Sequence, residues 1–196
     1  YCALYWKSLH PINDRGMACY GPQTEQSPDL LIAAENGFGL IYSSVYKDVS
    51  DPSVYSYRTQ PGELGQISIT GGLNVVSEFT VSNGVGGDQS QQYGYSNYAY
   101  DPNGYGGMGF ETVEVISENG ARKSFTTYSQ NVLDHTVGQP LSNVVSYKIG
   151  NTFVDVGTTV NEWNATVVNG IGLVRQEDNI YNKIDWGLYY TVRLDN

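Results

Sequence analysis

The sequence predicts an all-β protein built from antiparallel hairpins. Runs of alternating, β-branched and aromatic residues recur at short spacing, and none of these segments carries a convincing helical pattern. Dipeptides that tolerate positive φ separate the runs, most clearly Asn119-Gly120 between "FETVEVISE" and "ARKSFTTYSQ". The 23 glycines and 17 tyrosines fit a strand- and turn-rich chain rather than a disordered one.

The first 29 residues form a segment of their own by composition. Residues 1–29 mix aromatic residues with Pro, Gly and Asp and show no useful periodicity, so we predict an irregular segment with one short strand near Ala3 to Trp6. Both cysteines, Cys2 and Cys19, lie here. One bridge between them would contribute about 3 kcal/mol in the chain-entropy model. Two free thiols are the alternative, and a bridge requires an oxidising compartment.

Residues 30–196 are predicted to form one β-rich domain, or an excerpt of a longer sheet, because no linker divides them. The first hairpin joins "LLIAA" to "GLIYSSVYKDV" around Asn36-Gly37, and "GLIYSSVYKDV" alternates between two faces. Further strands follow at short spacing. In order, the predicted strands cover 30–34, 39–49, 66–69, 73–82, 90–100, 110–118, 121–130, 143–150, 152–169, 170–180 and 187–195.

Charge and hydropathy exclude two classes of partner. The chain carries 10 Lys and Arg against 20 Asp and Glu, a formal net charge of −10. Nucleic-acid binding depends on clustered cations, so we expect no nucleic-acid partner. No apolar run approaches the roughly 18 residues of a membrane helix, so we also expect no membrane span.

No arrangement of residue types points to catalysis or to a cofactor. The two histidines, His10 and His135, lie far apart, and the alternation of "FETVEV" places Glu111 and Glu114 on opposite faces. The loop "DPNGYGG" has the composition of a cation site but lacks the ligand spacing of a calcium-binding loop. We therefore predict a protein that is not an enzyme and has no cofactor. Calcium at a site formed by Asp88, Asp101 or Asn103 is the less favoured alternative.

The tyrosines and tryptophans allow two interpretations. Tyr side chains pair well across strands, where each pair contributes roughly 0.2–1 kcal/mol. Exposed aromatic rings can instead bind sugars or partner strands. We favour cross-strand pairing for the tyrosines. The alternative, a carbohydrate-binding β module, would use exposed tyrosines and Trp6, Trp163 or Trp186.

From Gly37 onward the sequence resembles a known family over roughly half the chain. "NGFGLIYSSVYKDVSDPSVYSY" and the later stretch from "NVVSEFTVSNGVGG" to "FTTYSQN" resemble the Rhs or YD-repeat proteins, especially the FG-GAP-associated branch with SpvB-like and Tc-type toxin components. Tyr105 and Gly106 stand where the family usually has an Arg, and residues 1–29 and 156–196 do not align. The matching pieces are Gly37 to Tyr46, Asp51 to Tyr55, Val75 to Gly87, Tyr93 to Tyr95, Gly104 to Phe110 and Thr126 to Gln130.

The resemblance implies a structural role. Rhs shells are long sheets coiled into a hollow container around a toxic C-terminal domain, so a curved or coiled sheet is expected here. The motif residues expected to turn the chain are Gly84, Gly86, Gly87, Gly104, Gly107, Gly109 and Phe110. The expected function is a non-catalytic, encapsulating segment of a secreted or cell-surface bacterial toxin-like protein.

The expected partners are the rest of the parent shell or identical copies of the chain. Besides the carbohydrate-binding module, a self-assembling extracellular fibre or surface subunit is a further alternative, because an uncovered sheet edge is a template for strand addition.

Overall fold

The structure is a computed structural model that describes part of the chain. The described residues are 2–6, 15–19, 30–36, 39–59, 62, 65–82, 85–168, 171–185 and 188–195; within these, the side chains at 2–6, 15–19, 165, 167–168, 171–179, 181–185 and 188–195 are not described. The chain divides into two compact units, Tyr1–Ile32 and Ala33–Asn196. The predicted boundary lay at residues 29 and 30.

The first unit contains a two-stranded antiparallel hairpin. Strand β1 (Cys2–Trp6) was predicted, and strand β2 (Arg15–Cys19) was not. The segment was expected to be irregular apart from β1, and strand β2 corrects that expectation. The stretch "RGMAC" does not predict a strand because it is short and lacks alternation. The register places Cys2 opposite Cys19 at one end of the ladder.

This register leads to a prediction about the cysteines. Directly opposed residues of an antiparallel pair have Cα atoms about 4.5–5.5 Å apart, within the roughly 4.4–6.8 Å range that a disulfide spans. In chain produced in an oxidising compartment, we expect Cys2 and Cys19 to resist iodoacetamide until a reductant is added. Labelling of both thiols without reductant, read by mass spectrometry, would contradict the prediction.

The second unit is an antiparallel sheet, which confirms the all-β fold class. Its main path contains ten strands in the order β14-β13-β12-β11-β10-β9-β8-β7-β4-β3. From β7 onward each strand pairs with the next strand in the sequence, as expected of hairpins joined by Gly-containing turns. The strands are β3 (Ala33–Glu35), β4 (Ile41–Asp48), β5 (Tyr55–Ser56), β6 (Ile67–Ser68), β7 (Asn74–Ser82), β8 (Asp88–Asp101), β9 (Gly106–Ser117), β10 (Arg122–Tyr128), β11 (Pro140–Ile149), β12 (Thr152–Val168), β13 (Ile171–Asp185) and β14 (Leu188–Asp195).

The segment between β4 and β7 completes one edge of β8. Strand β7 pairs with only the first part of β8, from Asp88 to Gln92. Further along the same strand, β5 pairs with it in parallel at Tyr95 and Ser96, and β6 pairs with it antiparallel at Ala99 and Tyr100. Strand β5 was not predicted. The inserted segment therefore satisfies backbone groups of β8 that β7 does not reach.

The apolar core lies where this inserted segment packs on the sheet. Its fully buried members are Val49, Val54, Tyr55 and Val75. Five partly buried residues pack around them: Ile69, Leu73, Tyr95, Tyr98 and Phe110. From Glu111 to Asn164, by contrast, the buried residues are the polar Ser117, Ser129, Thr136 and Ser146. The described part of β10 to β12 therefore has no fully buried apolar side chain.

Among the described residues, no helix has both the length and the apolar character needed to cross a membrane.

Candidate functional site

The stretch from Asp101 to Phe110 is a tight turn followed by a strand. Asp101 is buried, and its Oδ1 accepts hydrogen bonds from the backbone N of Asn103 at 2.9 Å and from the Asn103 Nδ2 at 3.0 Å. Its Oδ2 accepts a bond from the Tyr105 backbone N at 3.3 Å. These are the bonds of an Asx turn. The Asp101 carboxylate is thus engaged by protein donors that hold the turn.

The motif glycines serve this turn in two ways. Gly104 and Gly109 have φ values of +126° and +82°, which residues with a Cβ rarely adopt. A Cβ on Gly107 would lie 2.7 Å from the Tyr98 Oη, so a side chain at this position would force the Tyr98 ring to move. In the other predicted turn Gly86 also has positive φ, at +89°, and Gly87 immediately precedes β8. Gly84 lies outside the described residues.

Phe110 is the centre of an aromatic cluster that joins the sheet to the inserted segment. Its ring centroid lies 4.7 Å from that of Tyr95, 5.1 Å from that of Tyr98 and 6.1 Å from that of Tyr55. The Tyr55 Oη donates to the Ile69 carbonyl oxygen at 2.8 Å and accepts from the Tyr98 N at 2.9 Å. Contacts of this kind fit the interpretation of the tyrosines as cross-strand clamps.

Tyr95 is held in its neutral form by its surroundings. Burial, with a further contribution from neighbouring Tyr93, raises the pKa of Tyr95 to about 12. Its hydroxyl donates to the Val76 carbonyl oxygen at 3.0 Å. A phenol with a raised pKa and a backbone partner is a packing group rather than a proton-transfer group at neutral pH.

The Gln130 side chain closes a break in the β8–β9 ladder. The ladder pairs Ser96 with Thr112 and Tyr98 with Phe110 but not the residues between them, and Asn97 there has a φ of +47°. The Gln130 Nε2 donates to the Asn97 carbonyl oxygen at 2.7 Å and to the Gly109 carbonyl oxygen at 2.9 Å. One carboxamide from the segment after β10 therefore ties the two strands together at this break in the ladder, which we call the kink.

Four further side chains complete this cluster, which we call the Gln130 clamp. The Arg58 Nη2 lies 3.0 Å from the Glu111 Oε2, to which the Asn97 Nδ2 also donates. The Gln66 Nε2 donates to the Gln130 carbonyl oxygen at 3.0 Å. A depression of about 270 Å³ lies here, lined in part by Arg58, Gln66, Glu111 and Gln130. Because these polar groups bond to one another, the cluster holds the inserted segment to the sheet.

The two glutamates of "FETVEV" have different partners, as their alternation predicted. Glu111 belongs to the Gln130 clamp, whereas the Glu114 Oε2 lies 3.4 Å from the Lys123 Nζ. Glu114 lines a different depression, of about 320 Å³, together with Lys47 and Glu78.

Two carboxylates, one at the end of β4 and one in the loop that follows it, accept hydrogen bonds. The Asp51 Oδ1 accepts from the Ser53 N at 2.8 Å, and its Oδ2 lies 3.0 Å from the Lys47 Nζ. Hydrogen bonds from Ser53 and the Lys47 charge lower the pKa of Asp51 to about 2. Partial burial raises the pKa of Asp48, but bonds from Ser50, Gly72 and Leu73 outweigh it and lower the pKa overall.

Asp51 gives the fold an acid-sensitive contribution. Its pKa is about 2 in the fold against an ordinary 3.8, so the stabilisation is present above about pH 4 and lost as the pH falls towards 2. We expect Asp51→Asn to show a smaller loss of Tm than the original chain between these pH values. Glu118→Gln is the control, because Glu118 is exposed on a hairpin turn. Equal Tm losses in the original chain and Asp51→Asn would contradict the prediction.

The remaining candidate ligands do not gather into a metal site. Asp88 is exposed at the start of β8, His135 is exposed on the loop before β11, and His10 lies outside the described residues. Among the side chains that the structure describes, no three His, Cys, Asp or Glu residues are grouped as metal ligands. The expectation of no cofactor stays a prediction.

Comparison with known proteins places the chain in no family. No family model, no curated protein and no solved structure matches it.

Proposed function

We propose that this chain is a non-catalytic, structural segment of a shell of the Rhs or YD-repeat kind, part of a secreted or cell-surface bacterial toxin-like protein. The observation that carries the proposal is the open ten-stranded path, in which β7 to β14 follow one another as a meander. Such a sheet can be extended by further hairpins and can form the wall of a container.

The burial pattern supports a sheet whose exposed apolar side chains are covered by another layer. A sheet normally buries at least one face against another layer. In the described part of β10 to β12 and the loop between β10 and β11, however, apolar side chains remain exposed, including Leu133 at 70%, Ile149 at 66% and Val154 at 42%. A neighbouring sheet or an enclosed polypeptide would cover these side chains. If they were exposed to water alone, they would promote aggregation.

The motif residues that carry the resemblance act together as structural elements. Phe110 packs on Tyr95, and Gln130 donates to the Gly109 carbonyl oxygen. These residues come from three separate matching pieces of the sequence. Their joint role at one kink supports a function in bending and holding the sheet, since bulges and positive-φ glycines are how a sheet bends.

The intact mass of the native gene product tests this proposal. An antibody raised against this segment should detect a chain far heavier than its own 21.5 kDa, on the order of a hundred kilodaltons or more, as multi-domain chains are. The complete product should also protect this segment from protease until it is denatured. A native product near 21.5 kDa would overturn the proposal.

The two ends of the sheet path favour one second candidate, a self-assembling subunit. Strands β3 and β14 each pair with one strand among the described residues. On β4, next to β3, Ile41 and Val45 are 48% and 52% exposed. Unpaired edges beside apolar surface promote strand addition between copies. Light scattering that shows concentration-dependent oligomers of a 21.5 kDa native product would support this candidate.

A further inference from the structure

A depression of about 510 Å³ opens beside Trp163, where β12 extends past the start of β11. The register between β12 and β13 shifts between Glu162 and Trp163, and such bulges re-aim side chains. The Trp163 Nε1 donates to the Pro140 carbonyl oxygen at 2.8 Å. The polar edge of the indole is thus satisfied within the protein, and the ring is fixed at the wall of the depression.

The opposite wall is a loop held in place by its own hydrogen bonds. The Ser129 N donates to the Gln139 carbonyl oxygen and the Gly138 N to the Ser129 carbonyl oxygen, both at 2.8 Å. The buried hydroxyls of Ser129 and Thr136 lie 2.7 Å apart. The Asn131 Oδ1 accepts hydrogen bonds from the backbone N of Leu133 and from that of Asp134. The loop is therefore a formed wall rather than one that a ligand must order.

This loop presents both apolar and polar side chains to the depression. Leu133 is 70% exposed, and Leu141, at the start of β11, is 38% exposed. The Asp134 carboxylate accepts from the Asn131 Nδ2 at 2.6 Å, which leaves further acceptor capacity. His135 is exposed and held at a φ of +55°, and its imidazole has no hydrogen-bond partner among the described residues. Strained loop residues of this kind cluster at ligand sites.

We propose that this depression binds a neutral sugar ring. A pyranose has an apolar C–H face, which suits the fixed indole and the two leucines, and a rim of hydroxyls. The hydroxyls can donate to the Asp134 carboxylate and exchange hydrogen bonds with the His135 imidazole. Small-ligand pockets measure roughly 300–1,000 Å³, a range that includes this one. The proposal is independent of the shell role.

The charges select among ligands. Among the described residues that line the depression none is Lys or Arg, Asp134 adds a negative charge, and the chain carries a formal net charge of −10. Sialic and uronic acids would therefore be repelled, whereas uncharged hexoses would not.

Saturation-transfer NMR with defined glycosides tests the proposal. The probes are the methyl glycosides of glucose, galactose and mannose, with N-acetylneuraminic acid as the anionic comparison. We expect at least one neutral glycoside to bind with a Kd on the order of 1 mM, as small polar ligands in open sites do. Trp163→Ala should weaken it about tenfold or more, and Asp134→Asn by a few-fold.

Matched controls distinguish binding at this depression from non-specific binding. Tyr57→Ala removes another exposed aromatic side chain, 53% exposed and distant in sequence from the depression, and should leave the Kd unchanged. Asp134→Asn and His135→Ala alter exposed side chains, so they test the site even where Trp163→Ala disturbs the bulge. The proposal is overturned when no neutral glycoside shows saturation transfer, when the Asp134 and His135 variants bind as the original chain does, or when N-acetylneuraminic acid binds equally well.

Discussion

Gln130→Glu is expected to lower the free energy of unfolding by about 2–4 kcal/mol, the cost of leaving two partly buried acceptors unpaired and placing a carboxylate against them. The substitution keeps the shape of the side chain. It replaces the Nε2 that donates to the Asn97 and Gly109 carbonyl oxygens with an oxygen that repels both. Urea unfolding followed by circular dichroism would measure the change.

Two comparisons make this result specific to the Gln130 clamp. Gln89→Glu introduces the same change at an exposed position of β8 and should shift the unfolding free energy by less than about 0.5 kcal/mol. Hydrogen exchange of Gln130→Glu should accelerate first at the kink around Asn97 and Gly109. Equal stability of the two glutamate variants would show that the clamp contributes little.

Phe110→Ala is the second substitution with a large expected effect. The ring is partly buried and contacts the rings of Tyr55, Tyr95 and Tyr98, so its removal leaves a cavity at the centre of the aromatic cluster. We expect a loss of about 2–4 kcal/mol, somewhat below the range for a fully buried Phe. Differential scanning calorimetry would record it as a fall in Tm.

Phe125→Ala provides the matched control for this experiment. Phe125 lies on β10 and is 36% exposed, so the same truncation there should cost about 1 kcal/mol or less. If Phe110→Ala also cost only about 1 kcal/mol or less, the inserted segment would be held by hydrogen bonds and not by the aromatic cluster.

The strands of the second unit could be predicted because their signals are local. Alternation in "GLIYSSVYKDV" and the Asn119-Gly120 pair depend on neighbouring residues, and both regions form strands where expected. The turn itself differs from the two-residue form: Glu118, Asn119 and Gly120 all have positive φ, and the first paired residues are Ser117 and Arg122. The bulky Glu118 gives no sign of this conformation in the sequence.

Two missed features of the second unit depend on contacts between distant parts of the chain. Strand β5 is two residues long and exists because Tyr55 meets Tyr95, so no periodicity reveals it. Likewise the Gln130 clamp joins Arg58 to Glu111 across 53 positions. The resemblance pointed to the glycines and Phe110 and gave Gln130 only as the end of one matching piece, and it could not give the partner of any of them. Trp163 was named as a candidate sugar platform, without the loop that faces it.

The meander has a consequence for how this protein gains and loses structure. From β7 to β14 each strand meets its neighbour in sequence, so these contacts close short loops and should form quickly. Stability then accumulates strand by strand, as it does in repeat proteins. The last strands should open and reclose without disturbing the aromatic cluster, and amide exchange should slow progressively from β14 towards β8. Unfolding of this protein would therefore begin as unzipping from β14, before the part of the sheet around the aromatic cluster unfolds cooperatively.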